Sequence, residues 1–366
     1  MIRSLFVFGT RPEAIKLAPL VLEMNRRAAF TPLVCVTAQH RQMLDQVLDL
    51  FSIRPEYDLN LMKPGQTLEQ ILAGVFDRLP AVLEEAKPDL VIVQGDTTTT
   101  FAAAEAAFCR KIKVGHVEAG LRTNNRYSPF PEEINRRLTS VLTDFHFAPT
   151  EQNRDNLLSE GFPADRIWVT GNTVIDALQI VAARPYEWQI PELADLPGRL
   201  ILVTAHRRES FGEPFRDLCR GLAEIARRNP RDTVVYPVHL NPNVRRPVGE
   251  ILQGLDNIRL VEPLSYEPFV HLLKKAYLVL TDSGGIQEEA PGLGKPVLVM
   301  RETTERPEGV TAGTVRLVGT ATDRIVAEAS RLLDDPAAYQ AMAQAKNPYG
   351  DGTTSRRICE ILEKNW

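Results

Sequence analysis

Two adjacent glycines follow a serine at residues 283 to 285, where the apolar run YLVLT ends and a helical stretch begins. Backbone N–H groups that lack partners at the start of a helix favour a bound anion, and the helix dipole adds to this preference. Glycine lets such an anion approach the backbone closely. Ser283, Gly284 and Gly285 therefore form a candidate phosphate cradle. A serine N-cap with glycines in a tight turn explains the same residues equally well.

Two carboxylates, Glu288 and Glu289, stand about one helical turn after the glycines. Acidic residues in early helical turns interact favourably with the dipole, by ~0.3–1 kcal/mol each. Alternatively, a carboxylate at this point accepts hydrogen bonds from ribose hydroxyls. The sequence contains neither a G-x-G-x-x-G fingerprint after a strand nor a P-loop, which disfavours a dinucleotide-dependent dehydrogenase and a P-loop NTPase.

Ionisable side chains also follow most other apolar runs. They are Arg11, Glu13 and Lys16 after the first run, then Asp96, Glu118, His206, His239, Asp282, Arg301 and Arg306. A single polar residue in such a place is explained by helix capping. Capping alone does not explain so many at one predicted edge.

Residues 116 to 138 carry the densest set of charges. Pro129 and Pro131 interrupt the helical pattern, so we predict a helix that begins at Glu132 just after a rigid loop. Surface ion pairs account for Glu133 and Arg137. They account less well for Glu118, a carboxylate that ends the preceding strand.

Short apolar runs rich in β-branched residues recur along the chain, and helical stretches separate them. The first half contains SLFVFG, PLVCVT, LVIVQGD, KVGHVE, DFHFAP and IWVTGN, and the second half contains LILVTAH, VVYPVH, IRLVEP, YLVLTD, PVLVM and VRLVG. This alternation predicts two doubly wound parallel α/β sheets in tandem. The seam is expected at residues 183 to 199, which are rich in proline and polar residues. Ligands bind outside the carboxyl ends of parallel strands, so a cleft between the two sheets is the expected site.

Composition narrows the functional class further. The chain has 366 residues, 44% hydrophobic and 25% charged, with a formal net charge of −4, which argues against a general nucleic-acid binder. The 4 cysteines are scattered without the spacing of a metal site, so no metal is expected. No apolar run is long enough to span a bilayer, and we expect a cytoplasmic protein without a membrane partner.

Ten sequence blocks, in order, resemble the non-hydrolysing UDP-N-acetylglucosamine 2-epimerases. They are GTRPEAIKLAP, TAQHRQML, QGDTTTT, HVEAGLRT, YSPFPEEINR, VTGNTVIDAL, TAHRRESFGEP, YPVHLNPNV, TDSGGIQEEAPGLGKPVLVMRETTERPE and AGT. The resemblance implies the glycosyltransferase-B fold, with two Rossmann-like domains and a cleft between them. It places the N-terminal domain at residues 1–182, completed by a C-terminal helix at about 351–366, and the UDP-binding domain at 183–350.

The resemblance also implies an activity. Members interconvert UDP-N-acetylglucosamine and UDP-N-acetylmannosamine by eliminating UDP to a 2-acetamidoglucal and adding it back with inversion at C2. The resemblance implies a homodimer and no cofactor. Asp96, Glu118, Glu132 and His206 match catalytic residues of the family. The matches to UDP-sugar contacts are Arg11, Lys16, Arg136, Leu264, Phe269, Ser283, Gly284, Gly285, Glu289 and Arg306.

Some bacterial members bind a second UDP-N-acetylglucosamine as an activator. Gln39, His40, Gln42 and His239 resemble that site, but Gly65 stands where some regulated members place an arginine. Three alternatives remain open at this point. They are a hydrolysing relative that releases N-acetylmannosamine and UDP, a UDP-sugar glycosyltransferase of the same fold, and a nucleotide-sugar sensor without catalysis.

Overall fold

The computed structural model describes residues 1–38, 41–61, 63 and 65–366, and these form two compact units. The first unit comprises Met1–Ala177 and Tyr349–Trp366, and the second comprises Leu178–Pro348. Each unit contains its own parallel sheet.

The strands of the first unit are β1 (Ile2–Phe8), β2 (Phe30–Val36), β3 (Tyr57–Asp58), β4 (Leu90–Gln94), β5 (Lys113–Val117), β6 (Phe145–Ala148) and β7 (Ile167–Val169). Those of the second unit are β8 (Leu200–Thr204), β9 (Thr233–Pro237), β10 (Ile258–Val261), β11 (Leu278–Thr281), β12 (Val297–Val299) and β13 (Val315–Leu317).

Helices follow most of the strands. Up to the end of the first sheet they are α1 (Arg11–Asn25), α2 (Arg41–Leu50), α3 (Leu68–Ala86), α4 (Thr98–Phe108), α5 (Glu132–Leu142), α6 (Glu151–Ser159) and α7 (Thr173–Ala182). The remaining helices are α8 (Glu213–Arg228), α9 (Pro242–Leu252), α10 (Tyr266–Lys275), α11 (Gly284–Glu289), α12 (Pro307–Thr311), α13 (Thr322–Asp334), α14 (Pro336–Ala343) and α15 (Thr354–Asn365).

Over the described residues, the first sheet has seven strands in the order β3-β2-β1-β4-β5-β6-β7. Strands β1 to β3 therefore follow one another toward one edge of the sheet, and strands β4 to β7 follow one another toward the other edge. Every residue of β4 is buried, as expected for a parallel strand that is covered on both faces. Fully burying a Leu or Phe side chain contributes roughly 1.5–3 kcal/mol to stability. Burial therefore holds the central strands in place, and with them the loops at their carboxyl ends.

The second sheet repeats this plan with six strands in the order β10-β9-β8-β11-β12-β13 within the described chain. Here the strand order changes direction between β8 and β11. These two strands pair in parallel from Leu278–Ile201 to Thr281–Thr204. In such sheets the loops after the two strands at the change of direction diverge and leave a crevice. Each unit has one such switch point, at β1 and β4 or at β8 and β11.

The prediction of two parallel α/β sheets is confirmed, and each predicted strand is present. Sequence reasoning missed β3, whose two residues pair with Cys35 and Val36 of β2. A strand this short carries no periodicity to detect.

The last helix, α15, packs against α1 within the first unit. Arg27 after α1 lies 3.1 Å from Glu363 of α15. The start of α15 is held by buried Asp176, which accepts hydrogen bonds from the backbone N–H groups of Ser355 at 2.7 Å and Thr354 at 3.2 Å.

Candidate active site

Three structural elements of the first unit converge on the carboxylate of Glu118, which directly follows β5. Lys16 Nζ, from α1, lies 2.5 Å from Glu118 Oε2. Gln94, the last residue of β4, donates its side-chain N–H to the same oxygen. Glu118 itself is only 7% exposed. A cation and an amide donor stabilise a carboxylate that is otherwise removed from water.

The backbone of Glu118 has an uncommon conformation, with φ of +67°. The left-handed region costs a residue other than glycine of order 1–3 kcal/mol when the surroundings impose it. The next residue shows what imposes it, because Ala119 donates its N–H to the carbonyl of Phe147 in β6 at 3.1 Å. The neighbouring strand thus fixes the backbone that carries the carboxylate.

Asp96, just after β4, is paired with Arg136 of α5. The guanidinium contacts Asp96 Oδ2 through Nη2 at 2.6 Å and through Nε at 2.9 Å. Asn135 donates to the main-chain carbonyl of Asp96 at 2.9 Å. Consecutive residues of α5 therefore hold both the side chain and the backbone of Asp96.

The adjacent glutamates at the start of α5 have different surroundings. Glu133 is buried and accepts hydrogen bonds from the N–H of Thr123 at 2.9 Å and of Asn124 at 3.2 Å. Burial alone would raise the pKa of Glu133, but these bonds and that from Arg137 hold it below its ordinary value. Glu132 Oε2, in contrast, is buried without a hydrogen-bond partner among the described residues. The carboxylate of Glu133 is therefore used in hydrogen bonds within the protein, whereas Glu132 Oε2 has no such bond among the described residues and can bind a ligand.

Glu13 is a buried carboxylate beside these acids, and sequence reasoning missed that it joins two turns. Its carboxylate accepts from the N–H of Thr10 at 2.8 Å on one side and from Thr97 Oγ1 at 2.7 Å and Thr100 Oγ1 at 3.2 Å on the other. Burial raises the pKa of Glu13, against the effect of these hydrogen bonds. The T-x-x-E pattern predicts the contact with Thr10, which is a capping box. Nothing local predicts that Glu13 also joins the turn after β1 to the turn after β4.

The second unit has a comparable arrangement after β8 and β11. Asp282 is fully buried, and its Oδ2 accepts from the N–H groups of His206 at 2.6 Å and Arg207 at 2.7 Å. The imidazole of His206 stacks on that of His239, with ring centroids 5.2 Å apart and planes 8° apart. The ends of three neighbouring strands thus meet at the two imidazoles.

The predicted phosphate cradle lies beside this cluster. A Cβ atom on Gly284 would stand 3.6 Å from the guanidinium of Arg207, and one on Gly285 would stand 3.7 Å from Glu289 Oε1. These are ordinary van der Waals distances, so the protein itself does not require glycine here for space. The structure therefore brings Ser283, Gly284 and Gly285 together with His206 and Glu289.

Three arginines that follow strands of this unit have acidic partners. Arg301 contacts Glu305 at 2.8 Å and Glu209 at 2.6 Å, and Arg207 contacts Glu305 at 3.2 Å. Burial by itself raises the pKa of Glu305, but the arginines bring it to about 2. Arg306 is paired with buried Glu288. Any anion that binds here meets arginines that already have carboxylate partners.

Two of the residues that match UDP-sugar contacts, Leu264 and Phe269, lie on or next to α10. Leu264 precedes the helix, Phe269 lies within it, and both side chains are half-buried. The hydroxyl of Tyr266 is buried without a partner among the described residues. Its pKa is raised well above the ordinary value by burial and by the charge of Glu289.

The remaining predicted residues are less informative. Arg11 begins α1 and is half-buried, and Gln42 is exposed on α2. Gln39 and His40 lie outside the described residues. The roles of Gln42 and His239 in activation stay predictions.

Comparison with known proteins decides the family. The family described as UDP-N-acetylglucosamine 2-epimerase matches residues 22–363. The chain belongs to this family. It is 57% identical over 371 residues to the UDP-N-acetylglucosamine 2-epimerase of Escherichia coli K12, with 99% of each chain covered. It is 58% identical over 369 residues to that of Salmonella typhimurium, with 99% of this chain and 98% of the relative covered.

Solved epimerases of the family share the fold. The UDP-GlcNAc 2-epimerase of Neisseria meningitidis, solved bound to UDP-GlcNAc, is 53% identical with a TM-score of 0.87, and each chain is covered to 100%. A structure from Listeria monocytogenes is 51% identical with a TM-score of 0.94, covering 99% of this chain and 96% of that one. A glycosyltransferase of kitacinnamycin, at 14% identity and a TM-score of 0.66, shares the fold alone.

These similarities confirm the predicted family and the glycosyltransferase-B fold class of this epimerase-family chain. The roles of individual site residues stay predictions, which the geometry above supports to different degrees. Among the described helices, none has the length and apolar character needed to cross a bilayer.

Of the two adjacent glutamates of α5, Glu133 is predicted to stabilise the folded chain and Glu132 is not. Glu133→Gln is expected to lower the free energy of unfolding by about 1–3 kcal/mol, because buried backbone donors lose a charged acceptor. Glu132→Gln, the matched control, leaves it nearly unchanged. Because the pKa of Glu133 is lowered in the folded chain, its stabilisation is present above the ordinary glutamate pKa and fades as the pH falls below it. Urea unfolding at several pH values measures both variants, and equal stabilities would contradict the assignment.

Proposed function

We propose that this chain interconverts UDP-N-acetylglucosamine and UDP-N-acetylmannosamine without releasing the sugar. Family membership over nearly the whole chain carries the proposal. The first unit supplies the carboxylates and the second holds UDP, in line with the functional division proposed for residues 1–182 with 351–366 and residues 183–350. The structural relative from Neisseria meningitidis, bound to UDP-GlcNAc, supports this substrate class.

The chemistry explains why carboxylates and an anion clamp are needed together. The C2–H of the sugar is not adjacent to a carbonyl, so its direct removal is unfavourable. In the proposed reaction a carboxylate takes the C2 proton while the bond between C1 and the diphosphate oxygen breaks. The electron pair of the C–H bond forms the C1–C2 double bond, and UDP leaves with the pair of the C–O bond. Addition of UDP back, with a proton delivered to the opposite face of C2, inverts that centre.

Asp96, Glu118 and Glu132 are the proposed proton-transfer groups. Glu118 and Asp96 each bear a cationic partner, Lys16 or Arg136, at 2.5 and 2.6 Å. Glu132 begins the helix that carries Arg136. These three acids follow the carboxyl ends of strands at one sheet edge or begin the helix beside it, where ligands of doubly wound sheets bind.

UDP is proposed to bind the second unit, with His206 at the phosphates. Ser283, Gly284 and Gly285 offer open backbone to the diphosphate, and Glu289 accepts from the ribose. The other proposed contacts are Arg11, Lys16, Arg136 and Arg306 for charge, and Leu264 and Phe269 for uracil.

Turnover of UDP-N-acetylglucosamine in deuterated water without added NAD tests the function. We expect a mixture of the two UDP-sugars with deuterium at C2, because elimination exchanges that proton with solvent. NMR of the products measures both. Free N-acetylmannosamine as the main product would instead identify a hydrolysing enzyme, and no change in the UDP-sugar would favour a glycosyltransferase or a sensor.

Variants of the acids serve as controls in the same assay. Glu118→Gln and Asp96→Asn are expected to lower turnover by about 10²–10⁴-fold, as for loss of general acid–base catalysis, while UDP still binds. Loss of UDP binding in both would show that these carboxylates support the structure.

The cradle is tested by Gly284→Val. The side chain has space in the free protein, since a Cβ atom at this position would lie 3.6 Å from its nearest neighbour, but it would cover the backbone offered to the diphosphate. We expect UDP affinity, measured by calorimetry, to fall at least about tenfold, which is 1.4 kcal/mol. Gly249→Val on α9, where a Cβ atom meets only Gln253 at 3.9 Å, is the matched control. Equal affinities of the two variants would refute the cradle.

We also propose that the chain forms a homodimer through the first unit. α4 packs beside both α3 and α5, and these helices expose Phe76 (40%), Phe108 (58%), Leu138 (42%) and Val141 (71%). Exposed apolar side chains on neighbouring helices are typical of a surface that another molecule covers. A second copy of the chain is the occupant that the family resemblance implies.

Sedimentation velocity tests this surface. The wild-type chain is expected to sediment as a dimer and Val141→Asp as a monomer, because a buried unpaired charge disfavours the interface. Leu158→Asp on α6, a residue 38% exposed, is the control and should stay dimeric. A monomeric wild-type chain, or dissociation of both variants alike, would contradict the proposal.

A further inference from the structure

Asp282 has one carboxylate oxygen whose surroundings the fold does not explain. The residue is fully buried, and Oδ2 accepts from the backbone N–H groups of His206 and Arg207 at 2.6 and 2.7 Å. Oδ1 is buried and has no hydrogen-bond partner among the described residues. Buried polar atoms without partners are uncommon in folded proteins because they forfeit hydrogen bonds to water.

The group that faces this oxygen is the imidazole of His206. Nδ1 of His206 lies 3.7 Å from Asp282 Oδ1, which is too long for a hydrogen bond. Contacts of this kind are often long in ligand-free enzymes and shorten in the substrate complex. The ring cannot tilt freely, because its face stacks on His239. A small in-plane shift of His206 would complete the bond to Asp282.

The charges around His206 act in opposite directions. Burial lowers the pKa of His206, the charges of His239 and Arg207 lower it further, and the carboxylate of Asp282 opposes them. Burial in turn raises the pKa of Asp282, against its backbone hydrogen bonds and the charges of His206 and Arg207. Arg207 is itself paired with Glu305 at 3.2 Å. Asp282 is therefore the nearest group that favours the imidazolium form.

We propose that Asp282 is a positioning residue that acts on the reaction through His206. In the substrate complex its Oδ1 accepts the Nδ1–H of His206. This bond fixes the ring, directs Nε2–H at the diphosphate and stabilises the imidazolium while negative charge develops on departing UDP. The C1–O bond breaks with its electron pair on the diphosphate oxygen, and no proton has to leave the imidazole. The inference rests on the proposed function.

Asp282→Asn tests this role with little change in shape. The amide oxygen can still accept the two backbone N–H groups, but the amide hydrogens then face Nδ1 and disfavour its protonation. We expect kcat to fall about 10- to 100-fold, as for the loss of a partner that orients a functional histidine, with KM changed less than about threefold. The alkaline limb of the kcat–pH profile should move to lower pH by roughly 1–3 units, because an anion that favours the protonated histidine is lost.

A double mutant separates action through His206 from a general effect on the fold. In a His206→Asn background, Asp282→Asn should change kcat by less than about threefold, because neighbours that act as a unit are not additive. Asp232→Asn is the matched control. Asp232 is also buried in this unit and accepts a backbone N–H, that of Arg199, at 2.9 Å, and its variant should lose stability without moving the pH profile.

A measurement on the wild-type chain avoids dependence on the folding of the variants. With UDP bound, proton NMR is expected to show a slowly exchanging Nδ1–H signal that His206→Asn lacks. Absence of that signal, an unchanged kcat and pH profile in Asp282→Asn, or an equal loss of kcat in the His206→Asn background would overturn the inference. Epimerisation by the wild-type chain is measured first, so that failure of the proposed function is recognised separately.

Discussion

In each unit a buried carboxylate joins the turns that follow the two strands where the strand order changes direction. Glu13 follows β1 and holds Thr97 in the turn after β4, whereas Asp282 follows β11 and holds the backbone of His206 and Arg207 after β8. These bonds connect two loops that diverge at a switch point. The groups proposed for the reaction depend on these joints, because Asp96 precedes Thr97 and the proposed phosphate cradle follows Asp282 directly.

The joints explain why charged residues are so dense at these sheet edges. Glu13 and Glu133 accept hydrogen bonds from backbone or hydroxyl donors. If such a carboxylate exchanged a proton with a substrate, these hydrogen bonds would weaken and the loop that it holds would loosen. Carboxylates that transfer protons must therefore be different residues from those that hold the loops. Their partners must also be able to contact a bound ligand. Lys16 beside Glu118 and Arg136 beside Asp96 fit that requirement, since a long cationic side chain reorients more easily than a backbone amide.

Much of this organisation was predictable from the sequence because it is local. An apolar run followed by an ionisable residue marks the end of a buried strand, and this pattern gave the positions of Asp96, Glu118 and Asp282 along the chain. The family resemblance, and not the pattern, supplied roles for them. What could not be predicted joins distant residues: the contact of Glu13 with Thr97, the pairing of Lys16 with Glu118, and the positive φ that the neighbouring strand imposes on Glu118. The two-residue strand β3 was missed because it exists only by pairing with β2.

The fold by itself does not determine the reaction. A glycosyltransferase only 14% identical shares this architecture, and a doubly wound sheet offers every such enzyme the same crevice at its switch point. The difference must then lie in what each switch point presents. One presents carboxylates that are paired with cations, which suit proton exchange at carbon. The other presents imidazoles and open glycine backbone, which suit a leaving diphosphate. Epimerisation through elimination needs both functions at once, since a proton and a pyrophosphate must leave neighbouring carbons of one sugar and later return.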